Sequence, residues 1–182
     1  MIKKGKGGAN TKTGQVFEKK KDLKIFLSTL GGYSFEKINK YWINVHDSKT
    51  SAASPVASIL KKHGLYNFLK EKGVDWKKII SRQLLPDDSL YVISQNRIII
   101  LEYKFQSCDG SVDEKLQTCD FKKKQYKKLF SNLKIEVEYI YVINDYFKQP
   151  KYKDVLDYIE SVGCSYYFDY PPLDKLGLPT AD

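Results

Sequence analysis

The chain has 182 residues and a formal charge of +9, from 31 Lys and Arg against 22 Asp and Glu, and 42% of it is hydrophobic. Its 2 Trp, 14 Tyr and 9 Phe supply large apolar groups that disordered polyelectrolytes lack, which argues against disorder. One domain over residues 1–182 is expected, long enough to bury roughly 70% of its unfolded surface, and no stretch approaches the roughly 20 apolar residues of a membrane-spanning helix.

In chain order, residues 1–12 are rich in Gly and Lys and read as a basic flexible arm. The opening MIKKGKGGANTKTG carries charge but no apolar segment, so a signal peptide is not expected. From Thr13, a suitable N-cap, the spacing of Val16, Leu23, Phe26, Leu27 and Leu30 predicts a helix over 13–30, stopped by Gly31-Gly32. Residues 41–45 read as a short strand or buried extended segment. Ser54-Pro55 opens a predicted helical run to about residue 72, breakable at Gly64 and ended by Gly73, and 75–82 adds a short helix. Two β-rich runs, 89–93 and 97–105, joined by Ser94-Gln95-Asn96, predict a hairpin.

A long helix over 113–133 follows, with Leu116, Cys119, Tyr126, Leu129, Phe130 and Leu133 near one face and Lys122, Lys124, Lys127 and Lys128 largely elsewhere. A strand over 135–144, a helix over 151–162 and a strand over 164–168 precede a Pro-rich tail. The order α-β-α-β-β-α-β-α-β predicts an α/β sandwich with a mixed sheet, the hairpin antiparallel and the later helical crossover parallel.

Cys108, Cys119 and Cys164 are odd in number, far apart in sequence and free of CxxC spacing. That argues against a disulfide framework or zinc site and for a reducing, cytoplasmic compartment. The surplus of positive charge favours a polyanion, since each Lys or Arg set on a phosphate releases counterions. Nucleic acid is the first candidate, although the Lys-, Ile- and Tyr-rich usage of an AT-rich genome would produce the same charge.

The most informative stretch is Leu85-Pro86-Asp87-Asp88, followed across the hairpin by Ile98-Ile99-Ile100-Leu101-Glu102-Tyr103-Lys104. On a strand, Glu102 and Lys104 share one face while Leu101 and Tyr103 take the other. Charges at the end of such an apolar strand are costly unless paired or metal-bound. The hairpin turn brings Asp87 or Asp88 near Glu102, and alternation lets only one of the two face it. Asp87, directly after the proline, is favoured, with Asp88 as the alternative. Two converging carboxylates repel, and a divalent cation relieves this; Mg²⁺ commonly takes one or two protein carboxylates and completes its shell with water and phosphate oxygens. Lys104 could then orient or help deprotonate an attacking water, or offset charge on a phosphate. As an isolated tripeptide, E-x-K reads as a surface ion pair on an exposed strand; the preceding Pro-Asp, the spacing, the intervening apolar strand and the basic surroundings weigh against that here.

At these residues the chain resembles the PD-(D/E)XK nuclease superfamily, with Pro86-Asp87 followed 15 residues later by Glu102-Tyr103-Lys104. The resemblance spans about residues 8–177. It implies a restriction-endonuclease-like fold, a three-layer sandwich with a central mixed β-sheet flanked by helices. It also implies metal-dependent DNA cleavage, with Asp87 and Glu102 as Mg²⁺ ligands (Mn²⁺ as a substitute) and Lys104 beside the attacking water. Glu18 matches an acidic residue on the first helix that many relatives use as an extra metal or water ligand, or is an ordinary surface glutamate.

Further candidates surround this motif. Gln106 continues the strand on the side of Glu102 and Lys104, to touch phosphate or water or to end the strand in solvent. The run Gly110-Ser111-Val112-Asp113-Glu114-Lys115 starts the basic helix, where backbone N–H groups can hold a phosphate; Ser111 and Glu114 equally form a capping box. Lys115 and Lys122 are candidate backbone contacts on that helix. Gly7-Gly8-Ala9-Asn10-Thr11-Lys12-Thr13 fails as a Walker motif, because Thr11 stands where glycine is needed. Asn10, Thr11 and Lys12 are candidate DNA contacts, as the same region is in similar enzymes. His46 and His63 are remote from the motif and give a zinc or His-Cys mechanism nothing to stand on.

The expected function is a Type II restriction endonuclease: a homodimer that reads a short site in double-stranded DNA, with a cognate methyltransferase as genetic partner and no membrane association. The alternatives are a structure-specific repair or recombination nuclease, and a catalytically silent DNA-binding module on the same fold.

Overall fold

Among the described residues, seven strands form one open mixed sheet in which spatial order is chain order. β1 (Tyr33–Asn39), β2 (Trp42–Asp47), β3 (Ala57–Leu60), β4 (Asp88–Val92) and β5 (Arg97–Lys104) run as an antiparallel meander. β6 (Glu136–Ile143) and β7 (Ser165–Tyr167) continue parallel to β5. The computed structural model describes residues 22–50, 54–108 and 112–179. Parallel pairing requires crossovers. They are supplied by α3 (Val112–Leu116) with α4 (Cys119–Phe130), and by α5 (Lys153–Ser161). The remaining helices are α1 (Leu23–Leu30), α2 (Gly64–Glu71) and α6 (Leu173–Leu176).

Because strand side chains alternate, the sheet carries an apolar core on each face. On one face Trp42, Leu60, Ile98, Ile100 and the aromatic row of β6 pack under α2, α4 and α5 through Phe68, Leu69, Tyr126, Phe130, Leu156 and Ile159. On the other, Val45, Ile59, Leu90, Ile99 and Leu101 pack under Leu23 and Leu27 of α1 and under Leu176 and Leu178. The protein is therefore α/β, with an arrangement compatible with a three-layer sandwich. Among the described residues no helix is long and apolar enough to cross a membrane.

The β4–β5 hairpin forms where the sequence predicts it. Asn96 takes a left-handed φ of 45° at the turn, a conformation that asparagine tolerates better than most residues, and its side chain is held by the Tyr91 hydroxyl and the Lys134 carbonyl. The later strands and α5 also match the predicted order.

Three expectations need correction. The helix predicted over 13–30 is not one helix. Asp22 is extended, and its carboxylate caps α1 by accepting from the Lys24 and Ile25 amides, while the proposed cap Thr13 lies outside the described residues. The run predicted as helix over 54–72 splits into β3 and α2: Ala57, Ser58, Ile59 and Leu60 are all buried between β2 and β4, and burial on both faces outweighs the Ser-Pro start signal. β1 was not anticipated; it is an edge strand, mostly exposed, so it carries little apolar alternation. The long basic helix is also broken into α3 and α4, with a short 3₁₀ turn at Ser131–Leu133.

The entry to α2 depends on one close approach. The Lys61 amide donates to the Tyr41 carbonyl and the Gly64 amide to the Lys61 carbonyl, and any Cβ at residue 64 would run into that Tyr41 carbonyl oxygen. Gly64→Ala should therefore cost about 1–3 kcal/mol through overpacking against backbone, read as a lower urea midpoint; an unchanged midpoint would refute this contact.

Candidate active site

The β4–β5 register sets Asp88 opposite Leu101. Asp87, one residue earlier, is thereby level with Glu102, and its carboxylate accepts from the Tyr103 amide at 2.9 Å. Lys104, two residues beyond Glu102 on the same face, places its Nζ 2.7 Å from Glu102 Oε2 and 3.8 Å from Asp87 Oδ2. The hairpin thus brings Asp87, Glu102 and Lys104 together, with one ammonium between two carboxylates. Lys104 also lies 5.9 Å from the centroid of the Tyr141 ring, within reach of a cation–π attraction.

Glu102 is buried, with 6% of its surface exposed. Burial alone would raise its pKa, but Lys104 on one oxygen and Lys122 at 3.1 Å from the other outweigh it and hold the carboxyl below its usual range. Lys122, a candidate DNA contact, was expected to lie largely away from the buried face of its helix; it reaches into the site. The signal was present in the spacing. Lys122 is three residues after Cys119 and four before Tyr126, both buried on α4, so helical periodicity sets it on the same side. Beneath Glu102, burial raises the pKa of Tyr126, Tyr139 and Tyr141, and the charge of Glu102 raises each further, so neutral phenols floor the site.

Two clamps set the approach to Asp87. The Tyr66 hydroxyl donates to the Leu84 carbonyl at 3.0 Å and accepts from the Leu84 amide at 2.7 Å, and the Tyr126 hydroxyl donates to the same carbonyl. The Lys62 amide then donates to the Pro86 carbonyl at 3.1 Å.

Asp88 points to the opposite face. Its Oδ2 accepts from the Leu23 amide and the Tyr103 hydroxyl, and Lys61 lies 3.9 Å from its Oδ1 while also pairing with Asp22. Burial pushes the Asp88 carboxyl up to about 7, opposed by Lys61 and the Tyr103 hydroxyl. Of the doublet, only Asp87 shares the ammonium of Lys104 with Glu102, as strand alternation requires.

Gln106 departs from its expected place. It lies beyond the end of β5, is only 5% exposed, and its side-chain amide donates to the Tyr152 hydroxyl. Asn144 pairs with its backbone N–H and C=O, so it packs the core rather than facing the site. Lys115 is exposed on α3, and its carbonyl accepts from the Tyr141 hydroxyl. Asn10, Thr11, Lys12, Glu18 and Ser111 lie outside the described residues. Asp22, Lys61 and Tyr170, which surround Asp88, were not anticipated, because no local pattern links three segments so far apart in sequence.

Among the described residues no group of three or more His, Cys, Asp or Glu is assembled for a metal. The donor set at the hairpin is two carboxylates, the hard oxygen ligands that Mg²⁺ prefers and as many as it commonly takes from protein.

Tyr66→Phe removes both clamps that this hydroxyl makes to Leu84 and should cost about 1–2 kcal/mol. Chemical denaturation monitored by tryptophan fluorescence checks this, and wild-type stability in the variant would show that the clamp is dispensable.

Neither protein-family models, nor curated proteins, nor solved structures give a match to this chain.

Proposed function

We propose that the protein is a Mg²⁺-dependent endodeoxyribonuclease of the PD-(D/E)XK type. The observation that supports this most is the convergence of Asp87, Glu102 and Lys104 on one face of the β4–β5 hairpin, three charged side chains of the motif gathered at the end of an otherwise apolar strand. Asp87 and Glu102 would hold the cation, Mg²⁺ or in its stead Mn²⁺. When bound there, the cation supplies a water of lowered pKa and offsets the negative charge of the phosphate.

The remaining work falls to the chain itself. Glu102 stays ionised because two ammonium groups flank it. Asp87 is oriented by the Tyr103 amide, so its carboxylate is aimed before any ligand arrives, and less ordering is needed on binding. Lys104 holds a positive charge beside both carboxylates, able to hydrogen-bond the attacking water and to balance charge growing on the phosphoryl oxygens. Lys122, opposite it on Glu102, is a second positive group at the same point.

The sheet and its flanking helices are consistent with a restriction-endonuclease-like fold, and the surplus of nine positive charges suits a DNA partner. Within that class a Type II restriction endonuclease is the reading we favour. It would act in the cytoplasm as a homodimer on double-stranded DNA, alongside a cognate methyltransferase.

Incubation with unmethylated plasmid or phage DNA, with Mg²⁺ and with EDTA, is the test. Discrete fragments that require Mg²⁺ are expected, with cleavage reduced at least about 10²-fold in Glu102→Ala and Lys104→Ala. Retained cleavage in either variant overturns the site assignment. A Mg²⁺-dependent smear, or cutting of branched DNA alone, would point to a repair nuclease, and metal-independent binding without scission would point to a silent DNA-binding module.

A further inference from the structure

A cavity of 220 Å³ opens beside the candidate active site and shares Asp87 with it. Its other walls come from the β1–β2 turn, through Lys40 and Tyr41, from the segment after β3, through Lys61 and Lys62, and from Asp22 and Asp88. Three of these segments, the β1–β2 turn, the segment after β3 and the lead-in to β4, are locked to each other by backbone contacts. The Lys61 amide donates to the Tyr41 carbonyl, the Lys62 amide donates to the Pro86 carbonyl, and Gly64 allows the close approach of α2 to Tyr41.

Lys62 holds a left-handed φ of 46°, a costly conformation for a residue other than glycine and one that persists where surrounding contacts enforce it. The enforced geometry keeps the Lys62 backbone against Pro86, the residue that leads into Asp87. Three carboxylates line the cavity as well, and Asp87 among them accepts from the Tyr103 amide. Asp22 caps α1 and pairs with Lys61, and Asp88 is buried against Tyr103 and the Leu23 amide. Lys40 and Lys62 are the exposed cations of the cavity.

We propose that this cavity seats a phosphate group of the bound DNA backbone, next to the phosphate that is attacked, with Lys40 and Lys62 as its cationic contacts. The proposal rests on the nuclease reading above but concerns different residues. A pocket that carries lysines from two segments among its walls and shares Asp87 with the cleavage site is suited to fixing the strand's register across that site, since backbone contacts position a nucleic acid without reading its sequence.

The test is Lys40→Gln/Lys62→Gln against Lys148→Gln/Lys153→Gln, which removes the same two charges beside β7 at the other edge of the sheet. Binding of a fluorescein-labelled duplex is measured by anisotropy in EDTA across a salt series, with circular dichroism to confirm folding. The cavity variant should bind about tenfold more weakly, with a salt dependence shallower by about one counterion, while the control pair changes binding little. Equal effects of the two double variants, or wild-type affinity and slope in the cavity variant, overturn the proposal. If wild-type protein still cuts DNA in that case, only the cavity assignment fails; if wild-type protein neither binds nor cuts DNA, both readings fail. A second arm measures thermal stability in inorganic phosphate. Stabilisation of wild type but not of the cavity variant, with unchanged duplex binding, would assign the pocket to free phosphate and overturn its role as a backbone seat.

Discussion

Glu102 is a charged carboxylate at the end of an apolar strand, buried to all but 6% of its surface, and much of the architecture around it serves to make that tolerable. An unpaired carboxylate there would protonate or disrupt the core. Lys104 answers one oxygen from the same strand and Lys122 answers the other from α4. The crossover between β5 and β6 therefore does more than connect parallel strands: it packs α4 on β6, from where Lys122 reaches Glu102 on the neighbouring strand. A buried charge held by two partners is poor evidence of stabilisation by itself, since apolar residues of similar size often pack as well.

The hairpin then sorts the Asp doublet between two faces. Asp87 turns toward Glu102 and Lys104, whereas Asp88 turns toward α1, where it binds the Leu23 amide, the Tyr103 hydroxyl and Lys61. Tyr103 links the two arrangements. Its amide holds Asp87 and its hydroxyl holds Asp88, so the start of α1 and the candidate site are coupled through one residue. Below them, Tyr66 and Tyr126 anchor the Leu84 backbone, which fixes how the chain enters β4. The site is thus preorganised by the hairpin together with α2 and α4, which pack on the same face of the sheet.

Parts of this arrangement were legible from the residues alone. The β4–β5 hairpin followed from its β-rich runs and a short polar turn, and strand alternation was enough to put Glu102 and Lys104 on one side and to require that only one Asp join them. The inward turn of Lys122 was readable from its spacing to Cys119 and Tyr126 but was masked by the density of lysines around it. β1 and β3 were not legible, for opposite reasons: β1 is exposed along most of its length, and β3 is buried throughout, so neither shows the alternation of a half-buried strand. Gln106 looked like a continuation of the motif strand, yet β5 ends at Lys104 and the chain then turns inward to Asn144 and Tyr152.

By itself, the sequence determined the α/β class, the mixed sheet and the acidic and basic residues at the end of β5, because periodicity and turn chemistry act over a few neighbouring residues. Only the tertiary structure decided which Asp faces Glu102, which lysine completes its neutralisation, and that the β1–β2 turn and the segment after β3 close a cavity against Asp87. Those outcomes depend on contacts between residues 16 to 65 positions apart. Which of the many possible pairings forms is settled when the whole sheet and both its cores pack at once, and no local pattern encodes that choice.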